Sequence, residues 1–213
     1  MTNKKNSWSD HYTSRAKDEK WLARSVYKLE EVDKKYKFIK KGSRILDLGC
    51  CPGSWSQYCL KRLGNNGEVV GVDLKRPTLL REKHFRFIEA DILQIDPKRL
   101  AERIGYLDAV ISDLAPNTTG NSIADTARSM ELVEKALEIA LNVLKKEAHF
   151  LCKIFEGEDL KSFKDRVSMS FREVHMIRPA AVRKRSREVY LLGVNMIEQN
   201  IPDKDGEIFF KEA

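Results

Sequence analysis

The feature that most constrains this sequence is an alternation between short apolar runs and segments with helical spacing. Apolar runs of this length are typical of buried strands, and helices placed between strands make parallel crossovers. The last two runs follow each other without a helix, so one antiparallel strand is expected there. The sequence therefore predicts an α/β fold with a single doubly wound, mostly parallel, seven-stranded sheet. The predicted strands are 44–49, 68–73, 84–91, 107–113, 148–155, 171–178 and 188–196.

The segments around these strands define the organisation of the chain. Residues 1–20 are predicted to be a flexible basic arm, 21–200 a single domain, and 201–213 a tail without a recognisable signal. Ligands of such a sheet bind at the carboxyl ends of its strands, so candidate site residues are expected there. The predicted helices are 21–36, 54–63, 97–104, 122–144 and 158–168.

The charge of the chain favours a polyanionic partner. Its 39 Lys and Arg outnumber its 32 Asp and Glu, which gives a net charge of +7 and a pI of about 9.2. The basic residues are concentrated in two clusters, one within residues 4–24 and one at 183–187. Two such clusters, flanking the catalytic-looking core of the chain, indicate contacts with the phosphates of a nucleic acid.

The hydropathy pattern, the N-terminal residues and the cysteines bear on the cellular compartment of the protein. No apolar run reaches the roughly 18–20 residues of a membrane span, and the N-terminus is polar throughout, unlike a signal peptide. The 4 cysteines lack the paired spacing of a zinc site. We therefore expect a cytoplasmic protein with reduced cysteines, no metal and no membrane partner. Nothing in the sequence requires more than a monomer.

A glycine turn follows the first predicted strand, in DLGCCPGSW at 47–55. Gly49 and Gly53 allow a ligand to approach the backbone and the amides at the start of the next helix. Acidic residues end the next three strands. The turn has neither the GxGxxG of a nicotinamide site nor the GK[ST] of a P-loop. It suits a nucleoside without a pyrophosphate, and S-adenosylmethionine (SAM) is the candidate. The acids are Asp73, Asp91 and Asp113.

Five motifs in order give the chain a family resemblance. The sequence resembles the FtsJ-like RNA 2′-O-ribose methyltransferases, which implies a Rossmann-like methyltransferase fold. Its compact length is most similar to the bacterial heat-shock branch, which acts on a uridine of large-subunit ribosomal RNA. The motifs are ARSVYKLEE (23–31), DLGCCPGSWSQ (47–57), SDLAPNTTG (112–120), KIFEGE (153–158) and SREVY (186–190).

The resemblance implies a particular SAM site. Gly53 and Trp55 would lie in the turn, Asp73 at the ribose, Asp91 near the adenine and Asp113 near the methionine end. The turn also departs from the family pattern. Cys50 and Cys51 replace the usual alanines, and Ser54 replaces a common second glycine. These side chains are small, so we expect a perturbed loop geometry at most.

The predicted strand 148–155 contains a lysine, Lys153, in an otherwise apolar run. An unpaired ammonium in a dry interior costs several kcal/mol, so partners are expected. The resemblance implies a catalytic tetrad of Lys28, Asp113, Lys153 and Glu188. Its two cations and two anions would neutralise one another on the predicted ligand edge. Lys153 is expected to act as general base for a ribose hydroxyl or to position that hydroxyl.

RNA contacts are predicted beside this tetrad. The preferred partner is ribosomal RNA within the large ribosomal subunit. A transfer-RNA anticodon loop, or a non-catalytic RNA-binding or assembly role, stays open as an alternative. A small-molecule methyltransferase fits the two basic clusters less well. The candidate RNA-binding residues are Arg24, Asn117, Arg183, Lys184, Arg185 and Arg187.

Overall fold

The fold was analysed in a computed structural model of the chain. The structure describes residues 7–116, 120, 122–157 and 159–197, without the side chains of 7–10, 122 and 123. The predicted tail 201–213 and the candidate RNA contact Asn117 lie outside the described residues. Among the helices in these ranges, none combines the length and apolar character needed to cross a membrane.

The seven strands form one sheet in the order β3-β2-β1-β4-β5-β7-β6. Strands β1 to β5 are parallel, and β7 runs antiparallel to both β5 and β6. The predicted fold class and its single antiparallel strand are therefore confirmed. The strands are β1 Arg44–Leu48, β2 Glu68–Asp73, β3 Phe85–Glu89, β4 Leu107–Ser112, β5 Leu144–Phe155, β6 Phe171–Ile177 and β7 Glu188–Met196.

Helices cover both faces of the sheet. On one face, apolar side chains of α2 and α3 join those of the sheet in one buried cluster; on the other, α4, α5 and α6 contribute to a second. This arrangement buries the apolar strands on both faces, as a parallel sheet requires. The helices are α1 Ser7–Asp18, α2 Val26–Tyr36, α3 Ser54–Leu63, α4 Pro97–Ile104, α5 Ser122–Val143 and α6 Leu160–Ser168.

The prediction of a flexible arm over 1–20 is wrong for the residues that form α1. Ala16 is buried, and the ring of Tyr12 lies 5.3 Å from that of Tyr27 in α2. The guanidinium of Arg15 lies over the Tyr27 ring at 4.4 Å. These contacts anchor the helix on the domain. The dense charge of the segment hides this apolar face, which is too narrow to stand out as a periodic pattern.

Two predicted boundaries also shift. Helix α2 begins at Val26 rather than Trp21, because the preceding residues turn across α3 and the Leu22 N–H donates to Gln57 at 3.0 Å. Strand β5 begins at Leu144, where helix α5 was still expected, and pairs there with Leu107 of β4. The later start of α2 leaves the candidate RNA contact Arg24 before the helix, whereas Lys28 stays in α2 and Lys153 stays in β5.

The sheet order brings the candidate residues to one edge. The parallel strands β1, β2 and β4 all end at this edge, and β7 begins there because it runs in the opposite direction. Its first residue, Glu188, pairs with Phe155 at the end of β5. The carboxyl ends of the parallel strands and the start of β7 therefore form a single rim.

Candidate active site

The glycine turn after β1 depends on two residues with left-handed backbone. Gly49 has φ +77° and Gly53 has φ +111°. A Cβ at Gly49 would lie 2.7 Å from the end of the Leu114 side chain, which would have to move, so the left-handed backbone is the main requirement for glycine at this position. Helix α3 begins directly after Gly53, so its free N-terminal amides face the rim.

Asp73 stabilises this turn from the end of β2. Its Oδ2 accepts a hydrogen bond from the Cys51 N–H at 2.9 Å, and its Oδ1 accepts one from the Lys75 N–H at 3.1 Å. Each carboxylate oxygen has further lone pairs, which could accept ribose hydroxyls. The next residue, Leu74, is 65% exposed, an unusual position for a large apolar side chain beside a polar rim. Leu74 is not among the site residues that the sequence predicts.

Asp91 lies further along the same rim and is exposed. It caps the short 3₁₀ helix Ile92–Gln94 by accepting a hydrogen bond from the Leu93 N–H at 3.0 Å. Capping orients the carboxylate and leaves it accessible. The capping hydrogen bond is sufficient to explain an aspartate at this position. Binding of the adenine by Asp91 therefore stays a prediction.

The substituted positions of the turn fit without disruption. Ser54 is buried, and its hydroxyl lies 2.9 Å from that of Ser25, before α2. The buried thiol of Cys50 packs against Gly71 of β2. A Cβ at Gly71 would lie 2.7 Å from the Cys50 sulfur, so the absence of a side chain there leaves room for the thiol. Trp55 is only 3% exposed and donates its indole N–H to the Ser25 carbonyl at 2.9 Å. Its side chain ties α3 to α2; cofactor binding by Trp55 stays a prediction.

The structure brings the four tetrad residues together in two close ion pairs. The Lys153 ammonium lies 3.0 Å from Asp113 Oδ1 and donates to the Asp113 carbonyl at 2.7 Å. The Lys28 ammonium lies 2.6 Å from Glu188 Oε1. The Lys153 side chain is 7% exposed, and those of Lys28 and Glu188 are 13% exposed. The buried lysine of β5 thus has the charged partners that its position requires.

A fifth residue, Tyr190, joins the two pairs and was missed as a site residue. It lies opposite Lys153 in the β5–β7 ladder, and its hydroxyl donates to Asp113 Oδ1 at 2.7 Å. The Lys28 ammonium lies 5.8 Å from the centre of its ring. Burial, followed by the nearby Asp113 carboxylate, raises the pKa of Tyr190 well above its ordinary value, so the phenol remains a donor. The signal was present in the sequence, since Tyr190 ends the SREVY motif.

Opposing effects act on the pKa of Asp113. Burial raises it, whereas the ammonium of Lys153, then that of Lys28, and the hydrogen bond from Tyr190 lower it. The cations and the hydrogen bond prevail, and the pKa of Asp113 lies below its ordinary value. At neutral pH, Asp113 is therefore a carboxylate that holds the Lys153 amine in place.

An open pocket of about 700 Å³ adjoins the tetrad. Its wall includes Lys28 and Glu188 together with the predicted RNA contacts Arg24, Arg183, Lys184 and Arg185. The last three are exposed. Arg24 instead donates to the Ala181 carbonyl at 2.6 Å and supports the wall. Arg187 is directed away towards Thr126 and the Glu156 carbonyl. Two of the four tetrad residues, Lys28 and Glu188, therefore form part of the wall of a basic pocket.

A buried carboxyl lies beneath the turn and was also missed. Asp47 of β1 is 1% exposed, and its Oδ2 accepts a hydrogen bond from Ser56 at 2.6 Å. In the described part of the chain, its Oδ1 and the hydroxyl oxygen of Ser112 have no hydrogen-bond partner. Burial raises the pKa of Asp47 to about 7.

The donor and acceptor groups of the rim fit SAM. The carboxylates of Asp73 and Asp91 can accept from ribose hydroxyls and an adenine amine, and the exposed Leu74 offers an apolar surface to the base. The Asp113 carboxylate and the α3 amides lie towards the end of the rim where an amino acid moiety would fit. None of these groups requires a pyrophosphate.

Comparisons with known proteins agree with this geometry. The model of the FtsJ-like methyltransferase family matches residues 21–196. A Ribosomal RNA large subunit methyltransferase E of Bdellovibrio bacteriovorus is 44% identical over 189 residues, which cover 87% of this chain and 96% of that protein. A protein of the same name from Methanothermobacter thermautotrophicus is 41% identical over 186 residues, which cover 86% of this chain and 88% of the relative.

A solved structure also matches. The crystal structure of a Plasmodium falciparum protein, provisionally described as a ribosomal RNA methyltransferase, superposes with a TM-score of 0.74 at 29% identity. The match covers 84% of this chain and 100% of that structure. The match to the family model over residues 21–196 and the relatives at 41–44% identity show that the chain belongs to the FtsJ-like methyltransferase family.

Proposed function

We propose that this protein transfers a methyl group from SAM to a ribose 2′-hydroxyl of large-subunit ribosomal RNA. The observation that carries this proposal is the position of Lys153. Its buried ammonium contacts Asp113 at 3.0 Å, and two further tetrad residues, Lys28 and Glu188, line a basic pocket of about 700 Å³. A nucleotide in this pocket would meet the tetrad through Lys28 and Glu188.

SAM supplies an electrophilic methyl group on its sulfonium, which needs no further activation by the protein. The chain would hold it through the α3 amides and the carboxylates of Asp73, Asp91 and Asp113. Leu74 would cover the base. The protein then has two tasks, which are to orient the acceptor hydroxyl in line with the methyl group and to accept the hydroxyl proton.

Lys153 is suited to receive that proton. Two contacts with Asp113, to its carbonyl and to Oδ1, fix the amine in place. In the neutral form, the amine would accept the proton of the 2′-hydroxyl while the oxygen bonds to the methyl carbon and the bond between that carbon and the sulfonium sulfur breaks. The products would be a 2′-O-methyl ribose, S-adenosylhomocysteine and the protonated lysine, which returns its proton to water before the next cycle.

Lys28 and Glu188 are suited to orient the acceptor. They form a pair at 2.6 Å on the pocket wall, so a ribose in the pocket would meet one donor and one acceptor at fixed separation. Arg183, Lys184 and Arg185 would bind the phosphates that flank the ribose, which positions the RNA without reading its sequence. The names of the relatives support the choice of large-subunit ribosomal RNA over transfer RNA.

The test uses methyl-labelled SAM with purified large subunits, naked ribosomal RNA and bulk transfer RNA. Wild type is compared with Lys153→Ala and with Lys146→Ala, an exposed lysine of the same strand. We expect 2′-O-methyl label in large-subunit RNA from wild type and Lys146→Ala, and none from Lys153→Ala. Label in transfer RNA would show that the substrate is transfer RNA and not ribosomal RNA. If wild type binds SAM but labels no RNA, the proposed reaction is contradicted.

A further inference from the structure

A second basic surface lies away from the active-site rim. It surrounds a shallow groove of about 780 Å³ beside the edge strand β3. The groove begins at the first residues of β1, β2 and β3, at the end of the sheet opposite the tetrad, and extends along β3 to Phe87 and to Arg76, in the segment that follows β2. Strand β2 alone separates the two ends by roughly 20 Å. We define the β3 basic surface as Arg44, Arg76, Lys83, His84, Arg86 and the half-buried ring of Phe87.

The charge of this surface is not balanced within the protein. Its arginines and lysine face a single carboxylate in the groove, that of Glu68. Glu68 already lies 3.0 Å from Arg44 and 3.6 Å from Arg86. Across the described ranges, no carboxylate lies within salt-bridge distance of Arg76 or Lys83. Cations gathered in this way repel one another, so the surface is suited to an external anion.

Stacking groups accompany the cations. The Arg76 guanidinium lies 5.5 Å from the centre of the Phe87 ring, which places a planar cation against an aromatic face. Asn65 and Asn66 form part of the opposite wall and are exposed, so their amides are available as donors and acceptors. Cations interleaved with an aromatic ring and side-chain amides are the groups that bind an RNA backbone and its unstacked bases.

We propose that the β3 basic surface binds a second segment of the RNA substrate, distinct from the segment that enters the active site. The proposal rests on the proposed function for the identity of that RNA, which is large-subunit ribosomal RNA. A nucleotide held at the tetrad cannot itself reach the opposite end of the sheet. A large folded RNA can contact both places, and the second contact lowers the KM without touching the reacting atoms.

The test neutralises the surface in the variant Arg76→Gln/Lys83→Gln/Arg86→Gln. A control variant, Lys98→Gln/Arg103→Gln/Lys161→Gln, removes the same charge from exposed positions on α4 and α6. SAM affinity and thermal unfolding are measured for both, to verify that the rim and the fold are intact. RNA binding is measured by fluorescence anisotropy at several salt concentrations. Methyl transfer is measured with whole ribosomal RNA and with the shortest fragment that accepts label.

We expect the surface variant to bind whole ribosomal RNA about 10- to 100-fold more weakly than the control at low salt. The slope of the logarithm of the binding constant against the logarithm of the salt concentration should become shallower by about 0.7–0.9 for each phosphate contact that is lost. Its KM for whole RNA should rise with kcat unchanged, and the short fragment should be methylated equally by both variants. Equal binding and equal KM in the two variants would overturn the proposal. Weaker binding to assembled subunits but not to naked RNA would also overturn it, in favour of an acidic protein partner.

Failure of the proposed function would give a different pattern. If wild type transfers no methyl group to any RNA, the reaction assigned to the tetrad is wrong. The anisotropy measurement does not depend on methyl transfer. A weaker, less salt-dependent binding of the surface variant would then still support an RNA-binding surface at β3.

Discussion

Tyr190 and Lys153 contact the same oxygen of Asp113. The phenol donates to Oδ1 at 2.7 Å and the ammonium lies 3.0 Å from it. The two residues are also direct partners across the β5–β7 ladder. The strand pairing therefore fixes the geometry of the charged site, because one register places both donors on one carboxylate.

Tyr190→Phe tests the importance of this shared oxygen. The variant keeps the ring that packs 5.8 Å from Trp55 but loses the hydrogen bond that helps to lower the pKa of Asp113. A hydrogen bond to a charged group contributes about 1.5–3 kcal/mol, so we expect kcat to fall about 10- to 100-fold with SAM affinity nearly unchanged. Tyr106→Phe, at an exposed position, is the matched control. Equal kcat in the two variants would show that Asp113 does not need the phenol.

Lys153→Arg separates charge from proton transfer. Arginine keeps a cation beside Asp113 but does not lose its proton in proteins, so it cannot serve as a base. We expect kcat to fall by about 10³-fold or more, since general-base catalysis contributes typically 10²–10⁴-fold and the larger guanidinium also disturbs the acceptor. SAM affinity, measured by calorimetry, should change little. A variant with a tenth of wild-type kcat would leave only a positioning role for Lys153.

The Lys28–Glu188 pair lends itself to a double-mutant cycle. Lys28→Met, Glu188→Gln and the double variant are compared in unfolding free energy and in kcat/KM for RNA. Because both side chains are 13% exposed, we expect a coupling energy of about 1–2 kcal/mol in stability.

The control cycle uses Lys34 and Glu30, a pair at 3.0 Å on α2 whose side chains are 66% and 22% exposed. Such surface pairs contribute about 0.3–0.5 kcal/mol. If both cycles give the same coupling, burial adds nothing to the pair at the rim. If kcat/KM falls only as far as stability does, the pair has no separate role in orienting the RNA.

Sequence alone predicted the architecture because the informative residues are local. The apolar run around Lys153 predicts a buried strand, and the glycines at 49 and 53 predict a tight turn, in each case from neighbouring residues alone. The resemblance then supplied partners for Lys153 that no spacing rule gives. Lys28 and Glu188 are 160 residues apart in the numbering, and only the sheet order shows that they meet at 2.6 Å.

The features that sequence missed depend on contacts between distant elements. The sequence of α1 does not predict a packed helix, because the contacts that hold α1 come from Tyr27, in the next helix. The pattern around Tyr190 predicts an apolar strand, and the acceptor of its phenol is defined only when β4 and β7 lie on either side of β5. Asp47 begins a turn motif in the sequence, and its burial follows only from the packing of α3 above β1.

The buried Asp47 predicts a pH dependence of stability. Its pKa is raised to about 7 in the folded chain, whereas an unfolded Asp has a pKa of about 3.9. Between about pH 4 and pH 7 the folded protein therefore keeps a proton that the unfolded chain releases. The contribution of Asp47 to stability is fully present below about pH 4 and is lost as the pH rises towards 7.

Asp47→Asn removes this titration while keeping a polar group of the same size beside Ser56. We expect the unfolding free energy of the variant, relative to wild type, to increase by on the order of 2–4 kcal/mol between pH 4 and pH 8, since each pKa unit corresponds to about 1.4 kcal/mol. Urea unfolding at several pH values measures it, with Asp165→Asn, an exposed position on α6, as control. A difference from wild type that stays constant over this range would mean that Asp47 is ionised in the folded protein. Its unpartnered oxygen would then require a cation or water that compensates the buried charge.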